Sequence, residues 1–187
     1  MTLERTIDRE GNELRLALAD ERAFRAFYDR AMPRVFAYLV SRGGGDRDLA
    51  EELTQQTFVA AIAQRHTFDG RSDSVTWLCG IARHKLADHF RRLERDERRQ
   101  VQLEVREIAV DGASSAWGSA DERSAIDAAL AGLPAAQRAA LLFVDLDDRP
   151  VREVARLLGR SEGATQSLIT RARSNFRRIY AGGPVDG

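Results

Sequence analysis

Cysteine, lysine, tryptophan and proline are all scarce here, and each scarcity excludes something. The lone Cys79 cannot build an internal disulfide framework or a zinc site made of several thiolates. A reduced, cytoplasmic protein is therefore expected. Proline stands only at 33, 134, 150 and 184, which leaves long stretches open to helix. No apolar run approaches the roughly 20 residues that span a bilayer, so no membrane insertion is expected. Met1 to Glu13 is charged and has no apolar h-region, so no secretory signal is read there. With Gly187 as the last residue, no additional C-terminal regulatory domain is expected. Net charge is also missing, since 29 basic residues balance 29 acidic ones. Lys85 is the only lysine, however, and every other base is arginine. Arginine holds phosphate and carboxylate in a planar fork, which keeps an ionic partner in play.

Of the 187 residues, 43% are hydrophobic and 31% charged, which suits one ordinary folded domain or two small ones. Strand signals are few, and apolar residues recur at three- and four-residue spacing almost throughout. Phe24, Phe27, Tyr28, Ala31, Val35 and Leu39 form one such stripe, and Leu49, Leu53, Ala60 and Ala61 belong to the next. Gly43-Gly44-Gly45 ends the first long helix, and Asp46 and Asp48 offer caps for the second. A break follows from His66 to Ser74. A third helix runs from about Val75 to Arg92 and beyond. The pattern weakens between Arg95 and Asp121, where Gly112 to Ser119 reads as a tether. Helical periodicity resumes at Ser124, breaks at Pro134 and at Asp147-Asp148-Arg149-Pro150, and ends near Tyr180. The fold class expected is all-α, two small helical domains joined by a flexible linker.

The neutral total hides segregation. Residues 46 to 52 hold Asp46, Asp48, Glu51 and Glu52 against Arg47. Residues 81 to 95 and 160 to 180 each carry five bases, against two acids and one acid respectively, whereas residues 94 to 129 are net acidic. Two basic blocks on helices of different domains suit a long anionic ligand touched at two places.

The sharpest local signal is a helix-turn-helix. Val151 to Leu158 reads as a short helix, Gly159 as its left-handed terminator and Ser161 as the N-cap of the next helix. Ala155 is small where the helices cross, and Val154, Leu158, Leu168 and Ile169 supply apolar contacts. At about 3.6 residues per turn, Thr165, Leu168, Ile169, Ala172, Phe176 and Ile179 share one face. Gln166, Ser167, Thr170, Arg171, Ser174, Arg177 and Arg178 share the other. Base-edge readers near the start and phosphate binders near the end is the order a recognition helix requires.

On the third helix Leu78, Cys79, Ala82, Leu86 and Phe90 form the apolar stripe. Arg83, His84, Ala87 and Arg91 lie opposite, and Trp77 falls beside His84. A tryptophan on a basic face can stack on an unpaired base, or it can cap the core from the side. Cys79 reads as a small buried hydrophobe. His84 and His89 have no third ligand near them, so no metal site is expected. No catalytic order of residues or glycine-rich phosphate loop is present, and neither enzyme chemistry nor a cofactor is expected. On the second helix, Glu52 lies beside Gln55 and Gln56 on neighbouring turns. That patch suits a basic, hydrogen-bonding protein surface or a solvated helix start.

These segments, in this order, resemble the extracytoplasmic-function (group four) sigma factors of bacterial RNA polymerase. AFRAFYDRAMPRVFAYL looks like the opening of the family's region two, and DLAEELTQQTFVAAI like its core-binding segment. TFDGRSDSVTWLCGIARHKLADHFRR resembles its promoter-melting and −10-reading segment. ALAGLPAAQRAALLFVDLDDRPVREVARLLGRSEGATQSLITRARSNFRR looks like region four. The resemblance implies region two at 1–95, a linker at 96–121 in place of a folded region three, and region four at 122–187. It implies that Asp48, Glu51, Glu52, Gln55 and Gln56 meet the β′ clamp helices of core polymerase, with the β flap as a second contact. Phe68, Asp69, Gly70, Arg71, Ser72, Trp77, Arg83, His84 and Arg91 would engage the −10 element. Ser161, Gln166, Ser167, Thr170, Arg171, Ser174 and Arg177 would engage the −35 element. The partners implied are core RNA polymerase, promoter DNA and an anti-sigma factor. The alternative is a one-component helix-turn-helix repressor, which leaves the basic third helix and the acidic linker without a task.

Overall fold

The computed structural model describes residues 20–104 and 122–182, and every regular element among them is helical. They separate into two compact units, divided between Leu86 and Ala87.

In the first unit, α1 (Glu21–Arg42) opens on Asp20, whose carboxylate accepts the Ala23 N–H at 3.2 Å, and closes at Gly43. Its buried line is Phe27, Ala31, Val35 and Leu39, a stripe legible in the sequence. α2 (Arg47–Ala63) is capped by Asp46, which accepts the Leu49 N–H at 3.0 Å. α1 packs against α2, with the Tyr28 and Phe58 ring centroids 4.7 Å apart. Thr54 and Thr57 are buried on α2, and their hydroxyls donate to the Ala50 and Leu53 carbonyls at 2.6 and 2.7 Å. Neither polar atom is left unpaired in the core. A short 3₁₀ turn, Arg65–Thr67, leads into the loop before the third helix.

α3 (Ser74–Glu104) is a single helix. Residues 96–104, expected as the start of the linker, are therefore helical, and the rest of that expected linker lies outside the described residues. From Glu94 to Gln100 every residue is polar, so hydrophobic periodicity fades there. Pairs such as Arg98 to Glu94, at 2.6 Å, carry the helix on instead. The first half of α3 buries Leu78, Ala82 and Leu86. Cys79, expected in the core, is only half-buried.

The second unit contains the rest of α3, with α4 (Glu122–Ala131) and α5 (Ala135–Leu141). α5 runs into a π turn, Leu142–Leu146. α6 (Val151–Leu158) and α7 (Glu162–Tyr180) follow. α4, α5 and α6 all pack on α7. The core between them is built from alanines (129, 139, 140, 155, 172) with Phe143, Val154, Leu142, Leu168 and Ile169, all buried. Small residues let the helices close tightly around so short a chain. One polar pair sits inside: the Asn175 side-chain amide donates to the Gln137 carbonyl at 2.9 Å. Asn175 is buried where the sequence pattern pointed to Phe176 and Ile179, which are only half-buried. Gln137 supplies the partner that makes a buried amide tolerable.

Candidate nucleic-acid interface

The helix-turn-helix forms as its local signals require. Gly159 adopts φ 64° and ψ 39°, the left-handed conformation that closes α6, and its N–H returns to the Ala155 and Arg156 carbonyls. Such a residue is cheap only as glycine. Ser161 then caps α7, its hydroxyl oxygen accepting the Ala164 N–H at 3.2 Å. Thr165, Leu168, Ile169 and Ala172 point inward. Gln166, Ser167, Thr170, Arg171, Ser174 and Arg177 are all exposed, as is Ser161. The structure thus brings the whole expected −35 set onto one open helix face. The hydroxyls of Ser167 and Thr170 donate to the Gly163 and Gln166 carbonyls one turn back, at 3.1 and 3.0 Å. Each keeps its oxygen free to accept. Arg173, off this face, is fixed by a forked pair with Asp145 of the π turn. That hydrogen bond first, and the charge of Asp145 second, raise its guanidinium above the ordinary arginine value.

In the first unit the expected −10 loop is a short, locally braced segment. Asp69 accepts the Arg71 N–H at 3.0 Å, and Gly70 takes φ 76° between them. Asp73 stands at the N-cap of α3. Its carboxylate accepts the Val75 and Thr76 N–H groups, both at 3.0 Å, and the Thr76 hydroxyl. Partial burial works to raise the Asp73 carboxyl, but those three donors and the charge of Arg34 together hold it below the usual carboxylate value. Asp69 and Arg71 are exposed, and Gly70 and Ser72 are half-buried.

Phe68 is different, being only 1% exposed. It underlies the loop rather than facing outward, because its ring supports Trp77 at 5.2 Å between centroids. Trp77, half-buried on that support, keeps part of its ring open. It therefore caps the core and offers a stacking surface together. His84 is exposed and Arg83 half-buried two turns further along α3.

Arg91 stands two turns beyond His84 on α3. It lies in the second unit, ion-paired to Asp88, where a Cβ on Gly159 would stand 3.6 Å from its Nη1. Ala87, expected on the open face with it, is buried. It lies one turn before Arg91 on α3.

On α2, Asp48, Glu51, Glu52 and Gln55 are exposed, and Gln56 is half-buried with its amide donating to Glu52 at 2.8 Å. Two apolar side chains continue this patch, Val59 and Ile62, 68% and 41% exposed. Sequence reasoning passed over both, although three- and four-residue spacing from Gln55 leads to them. Arg160, between Gly159 and Ser161, was passed over as well. Among the described residues no three metal-ligating side chains cluster, and no helix is long and apolar enough to cross a membrane.

Comparison with known proteins gives two family matches, Sigma-70 region 2 over residues 27–96 and Sigma-70, region 4 over residues 123–175. The probable RNA polymerase sigma-C factor of Mycobacterium bovis is 34% identical over 86% of this chain and 84% of its own length. The ECF RNA polymerase sigma factor BldN of Streptomyces coelicolor is 33% identical over 84% of this chain, which spans 60% of that relative. A solved structure is also similar, the sigma factor RpoE in complex with the anti-sigma factor NepR from Bartonella quintana. It matches at 26% identity and a TM-score of 0.52, covering 84% of this chain and 96% of that one.

Proposed function

Because the chain belongs to the extracytoplasmic-function sigma factors of bacterial RNA polymerase, we propose that it binds core polymerase and directs promoter recognition, melting and initiation for a particular set of genes. The observation that carries this reading is α7, whose exposed face holds amide and hydroxyl readers early and arginines late. Gln166, Ser167 and Thr170 are suited to base edges of the −35 element. Arg171 and Arg177 are suited to base or backbone phosphate.

Region two would comprise the chain up to about residue 95 and region four the chain from 122. In region two, the braced loop from Asp69 to Ser72 and the half-open Trp77 would receive a −10 base extruded from the duplex. Arg83 and His84 would hold the adjoining strand. Phe68 would act from beneath by fixing the Trp77 ring. Extrusion costs a few kcal/mol, which stacking and polymerase contacts offset, so no covalent step is needed. The α2 patch of Asp48, Glu51, Glu52, Gln55 and Gln56, extended by Val59 and Ile62, would meet the β′ clamp helices, with region four on the β flap. Polymerase holding both halves lets effective concentration stand in for the affinity of either. An anti-sigma factor is the further partner, by analogy with the solved relative bound to one.

Run-off transcription tests this. The chain is added to bacterial core polymerase on a pool of promoter fragments, beside a Glu52→Ala/Gln55→Ala variant. Both side chains are exposed, so the variant should melt like the parent yet lose about tenfold or more of initiation. Tight DNA binding by the chain alone, with no initiation, would instead make it a repressor.

A further inference from the structure

We propose that the second half of α3 is an intramolecular latch on the helix-turn-helix, in which Glu94 occupies Arg160 as a DNA backbone phosphate would, and that binding −35 DNA requires its release. The inference rests on the promoter-reading assignment of α7. Arg160 directly precedes Ser161, the cap of the reading helix. A cation there stands where a recognition helix enters the groove and the flanking backbone passes its N-terminus. The guanidinium is already engaged, however. It donates to Oε1 of Glu94, with the two side chains only 21% and 18% exposed. The same carboxylate oxygen accepts from Arg98 at 2.6 Å. A carboxylate and a phosphate oxygen offer one guanidinium the same kind of bond, so they compete for it.

Two further contacts run along the same helix. One turn before Glu94, Arg91 reaches the Gly159 turn. One turn after it, both carboxylate oxygens of Glu97 accept the Ala135 N–H, at 3.0 and 3.1 Å. That amide begins α5, whose cap position is Pro134 and so has no side-chain acceptor of its own. Glu97 supplies the missing acceptor from 38 residues away. Beside these contacts lies a cleft of about 840 Å³ lined by Glu94, Glu97, Leu133, Arg138, Arg160 and Arg171. Glu94, Glu97 and Arg98 line it from α3 and Arg138, Arg160 and Arg171 from the rest of the unit, and Arg171 belongs to the expected −35 face as well. Glu94 and Glu97 thus lie against cations that a phosphate backbone would claim.

The test uses the full chain and a short DNA duplex of mixed sequence, because phosphate contacts do not depend on sequence. Affinity is read by fluorescence anisotropy across a salt titration for the parent, Glu94→Gln, Arg160→Gln and the double variant. Glu94→Gln should bind about three- to tenfold tighter. Arg160→Gln should bind more weakly, with a slope of log K against log salt shallower by about 1. In that background Glu94→Gln should change nothing. Hydrogen exchange supplies an independent readout: Glu97→Gln should speed exchange at Ala135, and adding duplex to the parent should do the same.

Unchanged affinity in Glu94→Gln, with Arg160→Gln still weakened, would overturn the latch and leave the promoter assignment standing. Equal slopes for the parent and Arg160→Gln would overturn the phosphate role of Arg160. Failure of the sigma assignment shows elsewhere, as no initiation with core polymerase, and leaves the Ala135 exchange to decide whether the latch exists.

Discussion

Replacing Gly159 tests whether the turn of the helix-turn-helix is held by backbone conformation or by space. An added Cβ would meet only Arg91 Nη1, at 3.6 Å, which is ordinary contact with the movable end of a side chain. Crowding therefore contributes almost nothing. The left-handed φ of 64° does contribute: a residue with a Cβ there costs about 1–2 kcal/mol. Part of that, about 0.4–1 kcal/mol, is offset because alanine restricts the unfolded chain more than glycine does. The net expectation for Gly159→Ala is a loss of about 1 kcal/mol. For a domain of 60–100 residues that corresponds to a fall of about 4–8 °C in Tm.

Thermal melting of the full chain, followed by circular dichroism, provides the assay. Gly159→Asn should fall less than Gly159→Ala, since asparagine tolerates the left-handed region, and Gly159→Val should fall more. Gly80, inside α3 with nothing within 4 Å of an added Cβ and no positive φ, is the control. Gly80→Ala should raise stability by about 0.5–1 kcal/mol. If Gly159→Ala melts at or above the parent temperature, or if asparagine is as damaging as valine, the conformational argument is wrong.

Asp73→Ala should cost about 1 kcal/mol at neutral pH through loss of the α3 cap. Because the folded carboxyl lies below its ordinary value, that stabilisation is full above about pH 4 and disappears as pH falls through the folded value. Melting of parent and variant should thus converge in acid, and a difference that persists there would contradict it. Gln166→Ala should relax −35 sequence preference by about 1–3 kcal/mol at one base pair, read by competition among duplexes. Arg177→Ala should instead weaken all duplexes alike and reduce the salt slope by about 1.

The helix-turn-helix was legible because its signals are local: a run at helical spacing, a glycine at the left-handed position and a serine cap within a few residues. The full length of α3 was not, because hydrophobic periodicity marks only a helix with a core to face. From Glu94 to Val101 the helix is held by charge pairs and by contacts with other segments of its own unit, and a polar sequence gives neither away. Arg160 was missed for a related reason. Its partner lies 66 positions earlier, and no spacing rule reaches that far. Phe68 looks from sequence like part of the loop surface because an aromatic in a loop shows no period, and only the Trp77 ring beside it reveals which way it faces. Asn175 broke the apolar pattern of α7 because Gln137 on α5 satisfies its amide. Most of the exposed face of α7, by contrast, followed from counting along one helix.

The neutral total charge takes on a different sense once these contacts are placed. A chain with no net charge gains little long-range attraction to DNA, and a uniform mixture of signs would end the matter there. Here acids and arginines far apart in sequence are paired, so a carboxylate of one segment can lie on another segment's arginine. Glu94 does so at Arg160, and Glu97 lies near enough to Arg138 to counter part of the burial that lowers its guanidinium. The acids that cancel the basic blocks in the total also cancel them in place. A phosphate backbone arriving at α7 then has to displace a carboxylate before it gains an arginine. On the proposed function, two weak halves with such local competition would bind DNA poorly when free. They would bind usefully when another protein holds them at a promoter, where raised effective concentration outweighs the carboxylate's advantage.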